Sequence, residues 1–153
     1  MSEHRAIVSW RQKGPAFRAG RYSREHHWSF DGGLTVPASA SPSIVPPPWS
    51  VAAHVDPEEA YVAAIASCHL LWWLSLAAQE GYDVASYRDE ATGVLQRDAA
   101  GRSWISEVFL CPQITYGPHA AGPGDEARLH ELAHERCFIA NSIKTRVTVR
   151  RPR

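Results

Sequence analysis

The spacing of apolar and polar positions changes several times along the chain, and each change marks an element. Short alternating runs at His4–Trp10 ("HRAIVSW") and Glu25–Gly33 ("EHHWSFDGG"), joined by a connection containing Gly and Arg, predict an antiparallel pair of strands. "GLTVPAS" continues as a third short strand. The segment "PASASPSIVPPPWSVAAHVDP" then brings six prolines among small residues. Proline fixes φ and removes a backbone donor, so this stretch is a loop, and one of that length reads as a functional or wrapping connection.

The pattern next becomes almost continuously apolar, "EEAYVAAIASCHLLWWLSLAAQEG" from Glu58 to Gly81. Asp56 fits a helix N-cap, Pro57 the first helical position and Glu59 the third, which makes a capping box; acidic Glu58 and Glu59 suit the positive end of the helix. Gly81 is the expected stop. Beyond it, two extended runs flank "RDAAGR" and predict a β-hairpin from about Asp83 to Tyr116. A loop, "GPHAAGPGD", leads to a second helix over about Asp125–Ala140, with Leu129, Leu132, Ala133 and Cys137 at helical spacing, and "SIKTRVTVRR" closes as a strand. The order is β-β-(β)-α-β-β-α-β in one domain, 1–153. This α+β layout lacks the βαβ rhythm and the glycine-rich phosphate loop of a dinucleotide fold.

Only Ala60–Ala78 has the length of a membrane span. Ser67, Cys68, His69 and Ser75 interrupt it, "DPEE" and "QEG" flank it, and no basic flank is present, so no membrane insertion is expected. A soluble helix that is apolar on nearly all sides needs more cover than one small sheet supplies, which favours a homodimer. The 16 basic and 16 acidic residues cancel, and the basic residues cluster only in the tail "RVTVRRPR", so nucleic acid is not an expected partner. Three widely spaced cysteines, Cys68, Cys111 and Cys137, with no secretory pattern in "MSEHRAIVSW", point to reduced thiols in a cytoplasmic protein.

Taken alone, Cys68 lies too far into its helix for the N-terminal dipole to activate it, and it reads as a core thiol unless a cation reaches it from elsewhere. His69 is adjacent in sequence but about 100° around the helix, so it reads as a packing or supporting residue. His130, His134 and Cys137, at i, i+4 and i+7, share one helical face and leave a metal site open, although the HExxH order is absent. Cys111 on its strand reads as a small core residue.

Three stretches, "YSREHHWSFDGG", "DPEEAYVAAIASCHLLWWLSLAAQEGYDVASYRDEATGVL" and "LHELAHERCFIANSIKTRVTV", together resemble the OsmC/Ohr superfamily, the osmotically inducible and organic hydroperoxide resistance proteins. The likeness is to its "SCH … CFIANS" branch and covers Tyr22 to Val149. It implies an intertwined dimer in which antiparallel sheets wrap around central helices. It also implies that Cys68 is the peroxidatic thiol, that Cys137 resolves it, and that Glu58 is the acidic residue of a "PE" motif. Arg24 in "YSR" is the implied active-site arginine, with Arg18 and Arg21 close by in sequence. The implied chemistry is reduction of organic hydroperoxides, reset by an external dithiol or a lipoylated protein, with no bound cofactor or metal. Trp72, Trp73 and the "PPPW" loop are candidate walls of an apolar pocket. Glu58 and Cys68 stand ten positions apart, about 15 Å of helical rise, so they cannot meet in one straight helix. A bend, a later helix start or a contribution from a second subunit is required. The other reading of the same scaffold is a non-enzymatic thiol sensor or small-ligand binding protein.

Overall fold

The structure is a computed structural model that describes residues 1–150; the end of the basic tail lies outside the described residues. The chain forms two compact units, Met1–Ala60 and Tyr61 onward.

In the first unit β1 (Ala6–Trp10), β2 (His26–Phe30) and β3 (Thr35–Ala38) form an antiparallel sheet in that order. Val8 faces Trp28, and Trp28 faces Val36. Every residue of β1 is exposed, including Ile7 and Val8. The proline-rich loop is tethered at its ends: Ser39 N–H donates to the Val55 carbonyl at 3.0 Å, and Val51 N–H donates to Ser39 Oγ at 2.9 Å. The capping box forms as expected. Glu59 N–H donates to Asp56 Oδ1 at 2.8 Å, and Asp56 N–H donates to Glu59 Oε2 at 3.1 Å, which satisfies two of the donors a helix start leaves open.

Helix α1 runs from Pro57 to Gln79 without interruption, and Gly81 ends it with φ +81°, a conformation that glycine adopts without penalty. Its buried stripe is Ile65, His69, Trp73, Leu76 and Ala77, one face at helical spacing. Two clusters form on this stripe. Trp73, Leu76 and Ala77 pack with Leu129 and Ala133 of α2 (Pro123–Arg136), flanked by Tyr87 and Ile114. Ile65 packs with Val108 and Leu110, flanked by Val62, Ile105 and Val147. Gly93 lets its strand pass close to the helix: a Cβ there would lie 2.6 Å from Val62 Cγ2.

The segment between the helices carries four strands where the sequence pattern suggested two. β4 (Val84–Asp89) pairs antiparallel with β7 (Pro112–Tyr116), and β5 (Thr92–Arg97) pairs antiparallel with β6 (Ser103–Leu110). Each arm of the expected hairpin is therefore broken once. The physical cause on one arm is visible: Cys111 N–H donates to the Asp89 carboxylate at 2.7 Å, and Pro112 has no N–H to give. The last strand, β8 (Arg146–Val149), pairs parallel to β6, so the sheets are not purely antiparallel.

Helix α2 also differs from its expected range. It begins at Pro123, which is compatible with a first turn, and stops at Arg136 because Cys137 takes an extended conformation (φ −66°, ψ 112°). A separate 3-10 turn follows at Ala140–Ser142.

Candidate active site

Cys68, on α1, and Cys137, at the C-terminal cap of α2, are brought together, and both are free thiols. Burial pushes the Cys137 thiol up to about 11, and a hydrogen bond to Cys68 adds to the effect. Cys137 is thus held in its thiol form at neutral pH. A weaker contact, Ala140 N–H to Cys137 Sγ at 3.4 Å, comes from the turn after the helix. Cys137 is 1% exposed, whereas Cys68 is half-buried.

One turn beyond Cys68 on the same helix face stands Trp72. Its ring meets the Phe138 ring edge-on, with centroids 5.5 Å apart. The Arg136 guanidinium sits 5.9 Å over the Trp72 ring. Phe138 and Leu71 remain 69% and 66% exposed, so this flank of the thiol pair is open and apolar.

His69 points into the core and meets His130 of α2, Nε2 to Nδ1 at 2.9 Å, with the rings stacked 5.2 Å apart. His69 Nδ1 has no partner among the described residues. The tautomer that leaves a lone pair there, rather than a buried N–H, has His69 Nε2–H donating to His130 Nδ1. Burial lowers both imidazoles to about 4, helped at His69 by His130 and His134. Both rings are therefore neutral at pH 7. Trp73 packs on His130 with centroids 5.5 Å apart, which makes Trp73 a core residue rather than a pocket wall.

The three-ligand metal arrangement through His130, His134 and Cys137 does not assemble. Its spacing assumed a helix reaching Ala140, but α2 ends at Arg136. His130 is spent on His69, Cys137 turns to Cys68, and His134 is exposed. No group of three or more His, Cys, Asp or Glu side chains suited to a metal occurs among the described residues.

Arg24 belongs to the first unit. Its Nη1 donates to the carbonyls of Gly20, at 2.8 Å, and Tyr22, while the guanidinium stacks 3.7 Å from the Tyr22 ring centroid. It lines a cavity of about 440 Å³ together with Trp10, Phe17, Tyr22 and His26. Arg18 and Arg21 are exposed and line no part of it. Glu58 lies in the first turn of α1 and is half-buried; its Oε2 is inaccessible and has no partner among the described residues. The helix does not start later than Pro57, so that way of bringing Glu58 to Cys68 is removed.

The sequence reading missed the His69–His130 pair and the Arg136–Trp72–Phe138 group. A signal for the first existed: His69 falls midway between Ile65 and Trp73 on the buried stripe, and His130 lies between Leu129 and Ala133. Nothing local announced the second.

Comparison with known proteins gives a consistent picture. Residues 51–150 match the family model described as OsmC-like protein. An OsmC-like protein of unknown function from Vibrio cholerae is 48% identical, with a TM-score of 0.94 over 99% of this chain and 100% of that one. An organic hydroperoxide resistance protein from Elizabethkingia anophelis superimposes with a TM-score of 0.72 at 16% identity, over 99% of this chain and 94% of that one. One from Bacillus subtilis gives 0.66 at 19% identity, over 97% of this chain and 98% of that one. At these lower identities the likeness is one of fold. No match was found among curated proteins.

Proposed function

The chain belongs to the OsmC-like protein family, and on that premise we propose that it is a thiol-dependent peroxidase that reduces organic hydroperoxides. The observation that carries this reading is the contact between Cys137 and Cys68 in one chain. Proteins with the same fold include organic hydroperoxide resistance proteins, which supports peroxide chemistry on this scaffold.

The Cys68 thiolate attacks the outer oxygen of ROOH. The O–O bond breaks, ROH leaves after taking a proton, and Cys68 becomes a sulfenic acid. Cys137 then attacks the Cys68 sulfur; its proton departs with the hydroxyl as water, and a disulfide forms. The closeness of the two thiols supports this step, because the resolving sulfur already neighbours its target. An external dithiol, free or carried on a lipoylated protein, returns two electrons and two protons by exchange. No bound cofactor is required.

Arg24 and Glu58 are proposed as the charged pair that supports the thiolate, contributed by the second copy of a homodimer. Two features support this. Glu58 Oε2 is buried without a partner among the described residues, and Arg24 is fixed by two carbonyls. The exposed Leu71, Phe138, Ile7 and Val8 supply apolar surface for such a dimer. Free thiols at all three cysteines suit a reducing, cytoplasmic setting.

The test is consumption of tert-butyl hydroperoxide with dihydrolipoate. The native protein turns over, and Cys68→Ser falls to background. Unchanged turnover in that variant rules out the mechanism. Stoichiometric oxidation without dithiol-driven turnover selects a thiol sensor instead.

A further inference from the structure

His69 follows Cys68 on α1, and His130 stands about two helical turns before Cys137 along α2. The bond between the two imidazoles, Nε2 to Nδ1 at 2.9 Å, therefore joins the same two elements that carry the thiols. Stability does not account for it. Both rings are buried, His69 Nδ1 has no partner among the described residues, and two apolar side chains of similar volume would replace the pair at little cost. What a buried hydrogen bond supplies, and apolar packing does not, is direction. Trp73, Leu76 and Ala77 meet Leu129 and Ala133 through hydrocarbon, which tolerates sliding. The Arg128–Glu80 ion pair just past the end of α1 is exposed and holds its partners weakly. A disulfide, by contrast, closes only over Cα separations of about 4.4–6.8 Å, so a slide of one helical rise, about 1.5 Å, takes up much of that window.

On the peroxidase reading, we propose that His69 and His130 are positioning residues whose bond fixes α2 against α1, so that the Cys137 sulfur stays within reach of the Cys68 sulfenic acid. The pair acts on the second step, in which Cys137 attacks the Cys68 sulfur and water leaves. The first step, cleavage of the O–O bond by Cys68, does not depend on it.

The test mixes the reduced full chain with excess tert-butyl hydroperoxide and dimedone and maps the products at Cys68 by mass. The sulfenic acid divides between the dimedone adduct and the Cys68–Cys137 disulfide, so their ratio reads the second step, and loss of the Cys68 thiol reads the first. The double variant His69→Leu/His130→Leu removes both partners, so it folds with near-native stability in urea unfolding. Its Cys68 thiol disappears at the native rate, while the adduct-to-disulfide ratio rises about tenfold, the equivalent of one buried hydrogen bond. His130→Asn, whose side-chain oxygen replaces Nδ1 as the acceptor, returns the ratio towards the native value. A native ratio in the double variant, equal slowing of both steps, or a ratio in His130→Asn as high as in the double variant overturns the positioning role and leaves the peroxidase reading intact. A double variant that fails to fold also overturns it, since the pair then serves stability. A native protein that forms neither adduct nor disulfide defeats the peroxidase reading, and the positioning role with it.

Discussion

The Cys137 thiol, at the cap where α2 breaks, lies beside Cys68 of α1. Their surroundings distinguish two chemically identical side chains. Burial holds Cys137 protonated until about pH 11, and Cys68 is the more accessible sulfur, the one to which the proposed mechanism assigns the peroxide.

The division has a direct consequence for the two serine variants. Cys68→Ser removes turnover altogether. Cys137→Ser keeps the first oxidation but loses dithiol-driven turnover by roughly tenfold or more, because the sulfenic acid has no resolving partner. Dimedone trapping of Cys68 in Cys137→Ser, followed by mass analysis, checks this; equal trapping in the native protein and in Cys137→Ser would argue against resolution by Cys137.

Alkylation of the reduced protein separates the thiols without peroxide. At pH 8, iodoacetamide modifies Cys68 first and Cys137 only slowly, since Cys137 is buried and its thiolate forms only near pH 11. Peptide mapping over a time course reads the order.

The His69–His130 pair makes acid stability a specific signature. Unfolded imidazoles titrate near 6.5 and the folded pair near 4. Below pH 6.5 the unfolded chain therefore binds more protons, and stability is lost as pH falls from 6.5 towards 4. A shift of that size corresponds to about 3 kcal/mol per ring. Tm measured across this window falls steeply in the native protein and less steeply in His130→Gln. That variant costs about 1–3 kcal/mol at pH 7 if it leaves His69 unpaired.

Close packing of β5 on α1 gives a stability test remote from the site. Gly93→Ala forces a methyl against Val62 Cγ2, where a Cβ would stand at 2.6 Å, and destabilises by about 1–3 kcal/mol in urea unfolding.

Local chemistry made some of the structure legible in the sequence. Asp56 with Glu59 marked the helix start and Gly81 its end, because caps are set by neighbours a few residues apart. The broken hairpin was not legible. Its break depends on Asp89 reaching Cys111 across 22 residues, although Pro112 alone carried a hint. The proposed metal face failed for a related reason: periodicity was carried past Arg136, where the backbone turns extended. The pairing of His69 with His130 spans 61 residues, so no local pattern contains it. For Cys68, helical spacing placed the thiol on α1, but Cys137 lies past the end of α2, and only the family resemblance implied that the two work together.

The proposed mechanism turns on one bond. Reduced protein treated with one equivalent of tert-butyl hydroperoxide, digested without reductant and mapped by mass, should yield a Cys68–Cys137 disulfide within a single chain, with Cys111 still free. A Cys68 that stays reduced, or a disulfide that engages Cys111 in place of Cys137, would contradict it.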